Sequence, residues 1–444
     1  MPVNITSSNY TRISSEKKIL TEYIDGKKGE IDWTGKDEDT QYFTHGFHPY
    51  PARMPPHISR HLLRLYSRSK DDKILDPYCG SGGVLVESML YDRAAVGVDL
   101  NPLAVLIAKV KTTVLDPKTL SQVRNDLISK IQKRLNSNNI LIPPHIPNLN
   151  FWFKPEAVIG LTAIKEELDD LKADKDIYEF FQVCFSLAVR KSSNIKNGEF
   201  KLYGKQGKEK EAFQPRPFET FSKITRDNIN KMQDFSKEME KHPEGKAVVL
   251  KGDTRNILGI DPDAIAEGTF KMVITSPPYG DSHTTVAYGQ FSKFSSLWLG
   301  LPEDDVLMVD RRGLGGEIVK KEKDLESPKL SEILSLISKT DERRAKEVYS
   351  FYYDADICLE QITRSLIREQ SYCCYVIANR TVRRVSIPTD EIFVEMGRKY
   401  NLKHLTTLHR DIPNKHIPLV NAPENIPGLK GTTMTKESIV IWKY

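Results

Sequence analysis

The stretch of sequence that decides the fold is KILDPYCGSGG, residues 73–83. It reads as a short apolar strand that ends on Asp76, followed by a glycine-rich turn into a helix over residues 84–91. A second apolar strand, residues 94–99, also ends on an aspartate, and a further helix follows over residues 101–111. Strands that alternate with helices in this way are typical of an open, mostly parallel sheet.

Further along the chain, strand-like stretches occur at residues 247–253, 272–275, 372–377 and 438–442. The long segment between the two groups of strands is mainly helical in its apolar spacing. The sequence therefore predicts an α/β fold with a mainly helical insertion.

The chain has 444 residues, of which 39% are hydrophobic and 28% charged, with a formal net charge of +5. This composition is typical of a soluble globular protein. No run of about 18 apolar residues is present, which argues against a transmembrane helix, and the N-terminus lacks the apolar segment of a secretory signal. The five cysteines lack paired or CxxC spacing. We therefore expect buried free thiols, no metal site and a cytoplasmic location.

The glycine-rich turn after the first strand lets the backbone approach a ligand closely. It matches neither GxxxxGK[ST] nor GxGxxG, so a phosphate cradle is not indicated. Its own acid, Asp76, suits a ligand with a cationic portion. Asp99, at the end of the neighbouring strand, is placed to accept the hydroxyls of a ribose. Asp253, after a third strand, suits an adenine amino group, although each of these acids also fits a turn or a helix N-cap.

The strongest signal is TSPPYG, residues 275–280, directly after an apolar strand. Two consecutive prolines hold the chain rigid and remove two backbone donors, so that carbonyl oxygens remain as acceptors. These oxygens and the Ser276 hydroxyl suit the exocyclic amine of a base, and Tyr279 offers a ring on which the base can stack. The alternative is an ordinary proline-rich turn.

Together, DPYCGSG at 76–82, GVDLNP at 97–102 and TSPPY at 275–279 closely resemble the S-adenosylmethionine-dependent DNA amino-methyltransferases, and SPPY resembles their cytosine-N4 branch. The segment HPYPAR at 48–53 is similar to the motif that closes over the cofactor's carboxylate end. The resemblance implies a Rossmann-like class I methyltransferase fold, with a seven-stranded, mostly parallel sheet and a C-terminal antiparallel hairpin. It also implies the cofactor S-adenosyl-L-methionine. One departure is Gly83, where the family more often has threonine.

Residue roles carry over from the same resemblance. The residues expected to bind the cofactor are Tyr50, Pro51, Asp76, Pro77, Cys79, Gly80, Gly82, Asp99, Leu100 and Asp253. The residues expected to bind and orient the flipped base are Ser276, Pro277, Pro278 and Tyr279.

Other chemistries remain as alternatives. Carbon-5 cytosine methylation needs a nucleophilic cysteine, usually after a proline, and the chain has no Pro-Cys dipeptide. Adenine-N6 methylation uses the same architecture, usually with Asp or Asn in place of Ser276. A tRNA guanine-N2 methyltransferase is a third reading, and a non-catalytic nucleic-acid-binding module is a reading of a different class.

The resemblance divides the chain into a lead-in (1–43), a cofactor-binding half (44–114), an insertion (115–246) and a catalytic half (247–444) with loops at 282–345. Within the insertion, residues 190–216 carry eight Lys/Arg against three Asp/Glu, interleaved with aromatic residues. Such a stretch suits contact with phosphates and bases, although a solvated surface loop is the plainer reading. The residues expected to contact DNA, here and in the 282–345 loops, are Arg190, Lys191, Lys201, Arg311 and Arg312. The expected partners are double-stranded DNA and a cognate restriction endonuclease, with no membrane.

Overall fold

The computed structural model describes residues 31–137, 142–196, 201–281, 285–412 and 436–444, together with two short strand segments at 420–421 and 431–432. Most of the predicted lead-in (1–43) lies outside the described residues.

The strands are β1 (Ile74–Asp76), β2 (Ala94–Asp99), β3 (Lys246–Lys251), β4 (Met272–Thr275), β5 (Tyr372–Ile377), β6 (Arg380–Val382), β7 (Val385–Ile387), β8 (Lys403–Asp411), β9 (Val420–Asn421), β10 (Gly431–Thr432) and β11 (Lys436–Lys443).

The helices are α1 (Pro56–Tyr66), α2 (Gly83–Leu90), α3 (Pro102–Thr112), α4 (Pro117–Leu135), α5 (Leu149–Trp152), α6 (Pro155–Asp169), α7 (Lys175–Ser192), α8 (Gly207–Ala212), α9 (Pro217–Met239), α10 (Tyr288–Leu299), α11 (Glu303–Leu307), α12 (Val309–Arg312), α13 (Pro328–Ser338), α14 (Glu342–Ser365) and α15 (Thr389–Lys399), with 3-10 turns at Phe43–Gly46 and Thr254–Gly259.

Seven strands form one sheet in the order β3-β2-β1-β4-β5-β11-β8. The pairs β1–β2, β1–β4, β2–β3 and β4–β5 are parallel, whereas β11 runs antiparallel to both β5 and β8. This confirms the predicted fold class, including the antiparallel C-terminal part. Because β1 to β4 are parallel, their carboxyl ends meet at one edge of the sheet, where α/β proteins bind ligands.

Successive side chains along each strand point to opposite faces of the sheet. In β5, Cys373 and Tyr375 pack with helices α13 to α15, whereas Cys374 and Val376 pack with α1 and α2. This is the period of two that a strand buried on both faces requires. The five cysteines are all free and buried, which confirms that expectation.

Helices α4 to α9 lie between α3 and β3 in the chain, and this insertion shares one apolar core with α2 and α3 of the sheet domain. That core includes Phe181 and Phe185 from α7 and Phe221 and Phe235 from α9, and it continues to Trp298 of α10. The insertion is therefore packed against the sheet domain through α2, α3 and α10, since all three helices contribute to the same cluster.

Among the described residues, no helix combines the length and the apolar character needed to cross a bilayer. In the same part of the chain, no group of three or more His, Cys, Asp or Glu side chains is arranged to hold a metal ion.

Candidate active site

A cleft of about 1090 Å³, open to solvent, lies at the carboxyl edge of β1 to β4. Of the residues expected to bind a cofactor, nine line it: Tyr50, Pro51, Asp76, Pro77, Cys79, Gly80, Asp99, Leu100 and Asp253. Ser276 and Pro278 line it too. The cleft thus brings together predicted residues that are 228 positions apart in the sequence, Tyr50 and Pro278.

Asp99 is held by two backbone amides, one to each carboxylate oxygen. Gly80 N–H donates to Oδ2 at 2.9 Å and Asn101 N–H donates to Oδ1 at 2.8 Å. Burial raises the pKa of Asp99 to about 6, against the opposing effect of these backbone hydrogen bonds. Each oxygen has lone pairs left for a ligand, so the carboxylate can accept two hydroxyl groups.

Asp76 is joined to the end of β4 by a short hydrogen bond. Thr275 Oγ1 donates to Asp76 Oδ1 at 2.6 Å, and Tyr78 N–H reaches the same oxygen at 3.3 Å. Burial raises the pKa of Asp76 to about 7, while the Thr275 hydrogen bond acts in the opposite direction. Both hydrogen bonds go to Oδ1, which leaves Oδ2 for a cationic group.

The two glycines of the turn have different roles. Gly80 lines the cleft at φ +49°, and a side chain there would start 3.4 Å from the Tyr50 ring. Gly82 is not among the lining residues. Its φ is +79°, and a Cβ would lie 2.9 Å from Ala108 Cβ, so glycine is needed there for packing against α3. Cofactor binding by Gly82 itself stays a prediction, because the residue packs on α3 and does not line the cleft.

The segment around Tyr50 covers the glycine-rich turn. Tyr50 OH accepts a hydrogen bond from Asn101 Nδ2 at 3.1 Å, and its ring stacks on Tyr288 at 5.9 Å between centroids. Asn101 also caps α3, because its Oδ1 accepts from Leu103 N–H. Asn101 therefore ties this segment to the loop after β2.

Asp253 lines the cleft but is already engaged. It caps the 3-10 turn Thr254–Gly259 by accepting from Arg255 N–H at 2.9 Å. It also pairs with the Arg255 guanidinium at 2.6 Å. Its carboxylate therefore has a structural role, and an adenine amine would have to share it with Arg255.

The Ser276 hydroxyl is oriented by the neighbouring strand. Its Oγ donates to Val376 O at 2.9 Å, and Tyr279 OH lies 3.3 Å away. Since the proton of Ser276 is used in this way, its lone pairs remain as acceptors for an N–H group. Pro277 is buried and, with Tyr279, is not among the residues that line the cleft.

Tyr279 is fixed at its hydroxyl end. Its OH donates to Glu437 Oε1 at 3.0 Å, and the other oxygen of Glu437 pairs with Arg410 at 2.7 Å. The ion pair is nearly buried, with Arg410 2% and Glu437 12% exposed. Because β11 runs antiparallel, its first residues lie beside the end of β5, and this places Glu437 next to the SPPY segment.

The residues expected to contact DNA are not all on the surface. Arg190 is buried, with its guanidinium 4.0 Å from the centre of the Phe291 ring, and burial lowers its pKa to about 10. This placement contradicts the expectation of a surface contact for Arg190. Lys191 is exposed and Lys201 is half-buried. Neither lines the cleft.

The two arginines of α12 lie near the cleft. Arg312 lines it and pairs with Asp305 at 3.1 Å. Arg311 is exposed and pairs with Glu317 at 2.5 Å. Such exposed ion pairs contribute little to stability, so both side chains can exchange their partners for a phosphate.

Several lining residues were not predicted from the sequence. Tyr288, Val286 and Asp310 come from loops and helix ends with no motif of their own. Asn101 was noted as a helix start, and its position after Asp99 was the signal that it faces the same edge of the sheet.

Comparison with known proteins gives a family model and three similar proteins. A family model described as DNA methylase matches residues 9–110. The type II methyltransferase M.MvaI of Kocuria varians is 38% identical over 424 residues, which cover 91% of this chain and 92% of that protein. The type II methyltransferase M.MjaII of Methanocaldococcus jannaschii is 30% identical over 130 residues, or 28% of this chain and 24% of that protein.

A shorter match is to the tRNA (guanine(10)-N2)-dimethyltransferase of Methanothermobacter thermautotrophicus, which is 40% identical over 52 residues, or 12% of this chain and 16% of that protein. The match to M.MvaI spans nearly the whole of both chains, and the DNA methylase model covers the strand and glycine-rich turn on which the cleft is built. The chain therefore belongs to the family of N6/N4 amino-group DNA methyltransferases.

Proposed function

We propose that the protein transfers a methyl group from S-adenosyl-L-methionine to the exocyclic N4 amine of a cytosine flipped out of duplex DNA, within a restriction–modification system. The observation that carries this proposal is the Ser276 hydroxyl. Its proton is donated to Val376 O, so a neutral oxygen acceptor stands at the edge of a cleft that is also lined by Asp76 and Asp99. The similarity of the chain to two type II methyltransferases supports DNA as the substrate.

The cleft suits the cofactor in charge and in space. When bound, S-adenosyl-L-methionine supplies an electrophilic methyl group on a sulfonium. Asp76 would hold a cationic part of its amino-acid portion, and Asp99 would accept the ribose hydroxyls. A Cβ at Gly80 would take up space beside Tyr50, so glycine there leaves room for the ligand. The remaining lining residues proposed for the cofactor are Pro51, Pro77, Cys79 and Leu100. Asp253 is also proposed, with its carboxylate shared between the cofactor and Arg255.

The base would be held by the SPPY segment. Ser276 Oγ and the Pro277 carbonyl would accept the amine's N–H groups, which orients the nitrogen lone pair toward the methyl group. Tyr279, anchored at its hydroxyl by Glu437, would present its ring for stacking. This chemistry needs no covalent enzyme intermediate.

The cysteines support amino-group methylation over carbon-5 methylation. All five are buried, and burial raises the pKa of each thiol above its usual value. A thiol in such a setting stays protonated and is a poor nucleophile.

The identity of the methylated base is tested by letting the protein act on duplex DNA, digesting the product to nucleosides and identifying the modified base by mass. N4-methylcytosine is the expected product. N6-methyladenine would overturn the choice of base but not the amino-group chemistry. An RNA substrate tested in parallel would reveal methylated guanine if RNA were the true target.

The role of Ser276 is tested by Ser276→Ala. We expect the transfer rate to fall about 10- to 100-fold, the value of a hydrogen bond to a group that gains charge. Binding of S-adenosylhomocysteine should remain unchanged. Ser88→Ala is a matched control, because Ser88 is also buried but donates within α2 to Val84 O. An equal loss of cofactor binding in Ser276→Ala would contradict this division of roles.

Contact with DNA is proposed for Lys191, Lys201, Arg311 and Arg312. Arg312 is the strongest of these because it lies at the cleft itself. Arg312→Ala should weaken DNA binding for all sequences and lower the slope of log affinity against log salt by about 1. An unchanged slope would remove Arg312 from the contact surface. A cognate restriction endonuclease remains the proposed partner.

A further inference from the structure

The stretch of chain that contains the SPPY segment, residues 276–281, is held at both of its ends. At the first end, Ser276 Oγ donates to Val376 O at 2.9 Å. At the other end, Arg380 Nη1 donates to Asp281 Oδ2 at 3.0 Å. Val376 belongs to β5 and Arg380 begins β6. Both attachment points therefore lie on one short stretch of chain, residues 376–380.

The ion pair between Arg380 and Asp281 is buried. The side chain of Asp281 is fully buried and that of Arg380 is 6% exposed. The Arg380 guanidinium also lies 5.3 Å from the centre of the Phe351 ring, and Arg344 Nη2 is 3.8 Å from the same oxygen of Asp281. Buried charges are screened much less by water and salt than exposed ones, so this pair holds the two side chains in one geometry.

The Arg380 guanidinium also lies against the backbone of Gly280. A Cβ at Gly280 would overlap Arg380 Nη1, so a larger residue there would displace the arginine. Thr285 Oγ1 donates to Asp281 O at 2.7 Å and to Gly280 O at 3.1 Å. Gly280 lines the cleft, whereas Arg380 and Asp281 do not. The ion pair therefore contacts a residue of the cleft wall without lining the cleft itself.

The backbone between the two attachment points is stiff. Pro277 and Pro278 each have a fixed φ, so a displacement of residues 280–281 is transmitted along the chain to Ser276. A displacement of about 1 Å at a reacting group can slow a reaction about 100-fold. Loss of the ion pair would therefore act on the acceptors proposed for the amine.

We propose that Arg380 and Asp281 are positioning residues, whose ion pair fixes the SPPY segment relative to the bound cofactor and so governs the rate of methyl transfer. The inference rests on the proposed function, because the rate it concerns is that of transfer to DNA. It assigns a role to two buried charged residues that lie outside the SPPY motif.

The test measures tritiated-methyl transfer to unmethylated duplex DNA, with the rate expressed per cofactor site. The number of sites is taken from titration calorimetry with S-adenosylhomocysteine. In Arg380→Met and in Asp281→Asn, we expect kcat per site to fall about 10- to 100-fold. The affinity for S-adenosylhomocysteine should stay within about twofold, because neither residue lines the cleft.

The double variant, Asp281→Asn with Arg380→Met, tests whether the two residues act as one unit. Its kcat should fall no further than that of the weaker single variant, because either substitution already removes the pair. Removing one partner of a buried ion pair is more destabilising than removing both. If Arg380→Met fails to fold, the double variant and Asp281→Asn therefore decide.

Asp356→Asn is the matched control. Asp356 is also fully buried and pairs with two cations, Lys323 at 2.8 Å and Lys399 at 3.1 Å. It lies on α14 and does not line the cleft. This variant should lower the melting temperature as Asp281→Asn does, because each leaves buried cations without their carboxylate, but its kcat per site should stay within about twofold of the parent.

Three results would overturn the inference while leaving the proposed function intact: an unchanged kcat per site in the Asp281 and Arg380 variants, a loss of the same size in Asp356→Asn, or a parallel loss of affinity for S-adenosylhomocysteine. If the parent protein transfers no methyl group to DNA, the proposed function fails and this inference fails with it.

Discussion

Replacing Thr275 with valine tests whether Asp76 must be ionised for the cofactor to bind. The hydroxyl of Thr275 is the strongest interaction that favours the charged form of Asp76, at 2.6 Å between Oγ1 and Oδ1. Valine keeps the shape of the side chain and removes the donor. The two residues lie at the ends of the neighbouring strands β4 and β1, so the substitution leaves the sheet register unchanged.

The size of the effect follows from the hydrogen bond. A hydrogen bond to a charged group is worth about 1.5 to 3 kcal/mol, so its loss raises the pKa of Asp76 by about 1 to 2. The starting value is about 7. At about pH 7.5 the ionised fraction then falls from about three quarters to between about a quarter and about 3%. A ligand that binds the ionised form alone would bind about 3- to 25-fold more weakly.

The assay is titration calorimetry with S-adenosylhomocysteine at about pH 7.5 and about pH 9. At the higher pH, Asp76 is at least about half ionised in the variant, so the difference should narrow to about twofold. Thr363→Val is a suitable control, because Thr363 is also buried but donates within α14 to Leu359 O.

Two results would refute the reasoning. Equal affinities at about pH 7.5 would show that the charge of Asp76 does not govern binding. A loss of the same size at both pH values would show that Thr275 acts by shape or stability and not through ionisation. The first would also remove the main argument for a cationic group beside Asp76.

Three further predictions use other parts of the cleft. Gly82→Ala should lower the free energy of unfolding by about 1 to 3 kcal/mol in urea denaturation, because Gly82 has a positive φ and its Cβ would lie too close to Ala108. Gly83→Ala should be neutral or stabilising, because a Cβ on Gly83 would lie at an ordinary 3.7 Å from a backbone carbonyl. An equal loss of stability in the two variants would contradict this. Without ligand, the free energy of unfolding should fall as pH rises from about 4 to about 7, because the raised pKa of Asp76 means that the folded state keeps its proton to a higher pH than the unfolded state does. Asp76 contributes at most about 1.4 kcal/mol per pH unit to this fall. In thermal melts across the same pH range, Asp76→Asn should therefore show a weaker pH dependence than the parent. In a tritiated-methyl transfer assay, Tyr279→Phe should retain most activity because the stacking ring remains, whereas Tyr279→Ala should lose about tenfold or more; equal losses would assign the role to the hydroxyl.

The sequence was sufficient to predict those site residues whose position follows from the residues next to them in the chain. An apolar strand that ends on an acid places that acid at the carboxyl edge of a parallel sheet, whichever residues come later. Asp76 and Asp99 were predicted for this reason, and both line the cleft. Glycine-rich turns and proline pairs restrict the backbone conformation of only a few neighbouring residues, so their structure could be predicted from the sequence.

Features that depend on distant packing could not be read in this way. Arg190 lies in a basic stretch, which suggested an exposed side chain, but α10 brings Phe291 over its guanidinium. Gly82 belongs to the glycine-rich motif, yet its requirement for glycine comes from the approach of Ala108. Lys111 sits in an apolar helix, and the spacing of that helix gave no sign that its amine contacts Ser81.

The position of β11 has a consequence for the order in which the protein can fold. It is the last strand in the described chain, yet it lies inside the sheet, paired on one side with β5 and on the other with β8. Ile439, Val440, Ile441 and Trp442 are all fully buried. During synthesis, the edges of β5 and β8 therefore stay open until residues 436–443 have emerged, and exposed apolar strand edges favour aggregation. Nascent chains that lack residues 436–443 should therefore depend on chaperones, because β5 and β8 then lack the strand that lies between them.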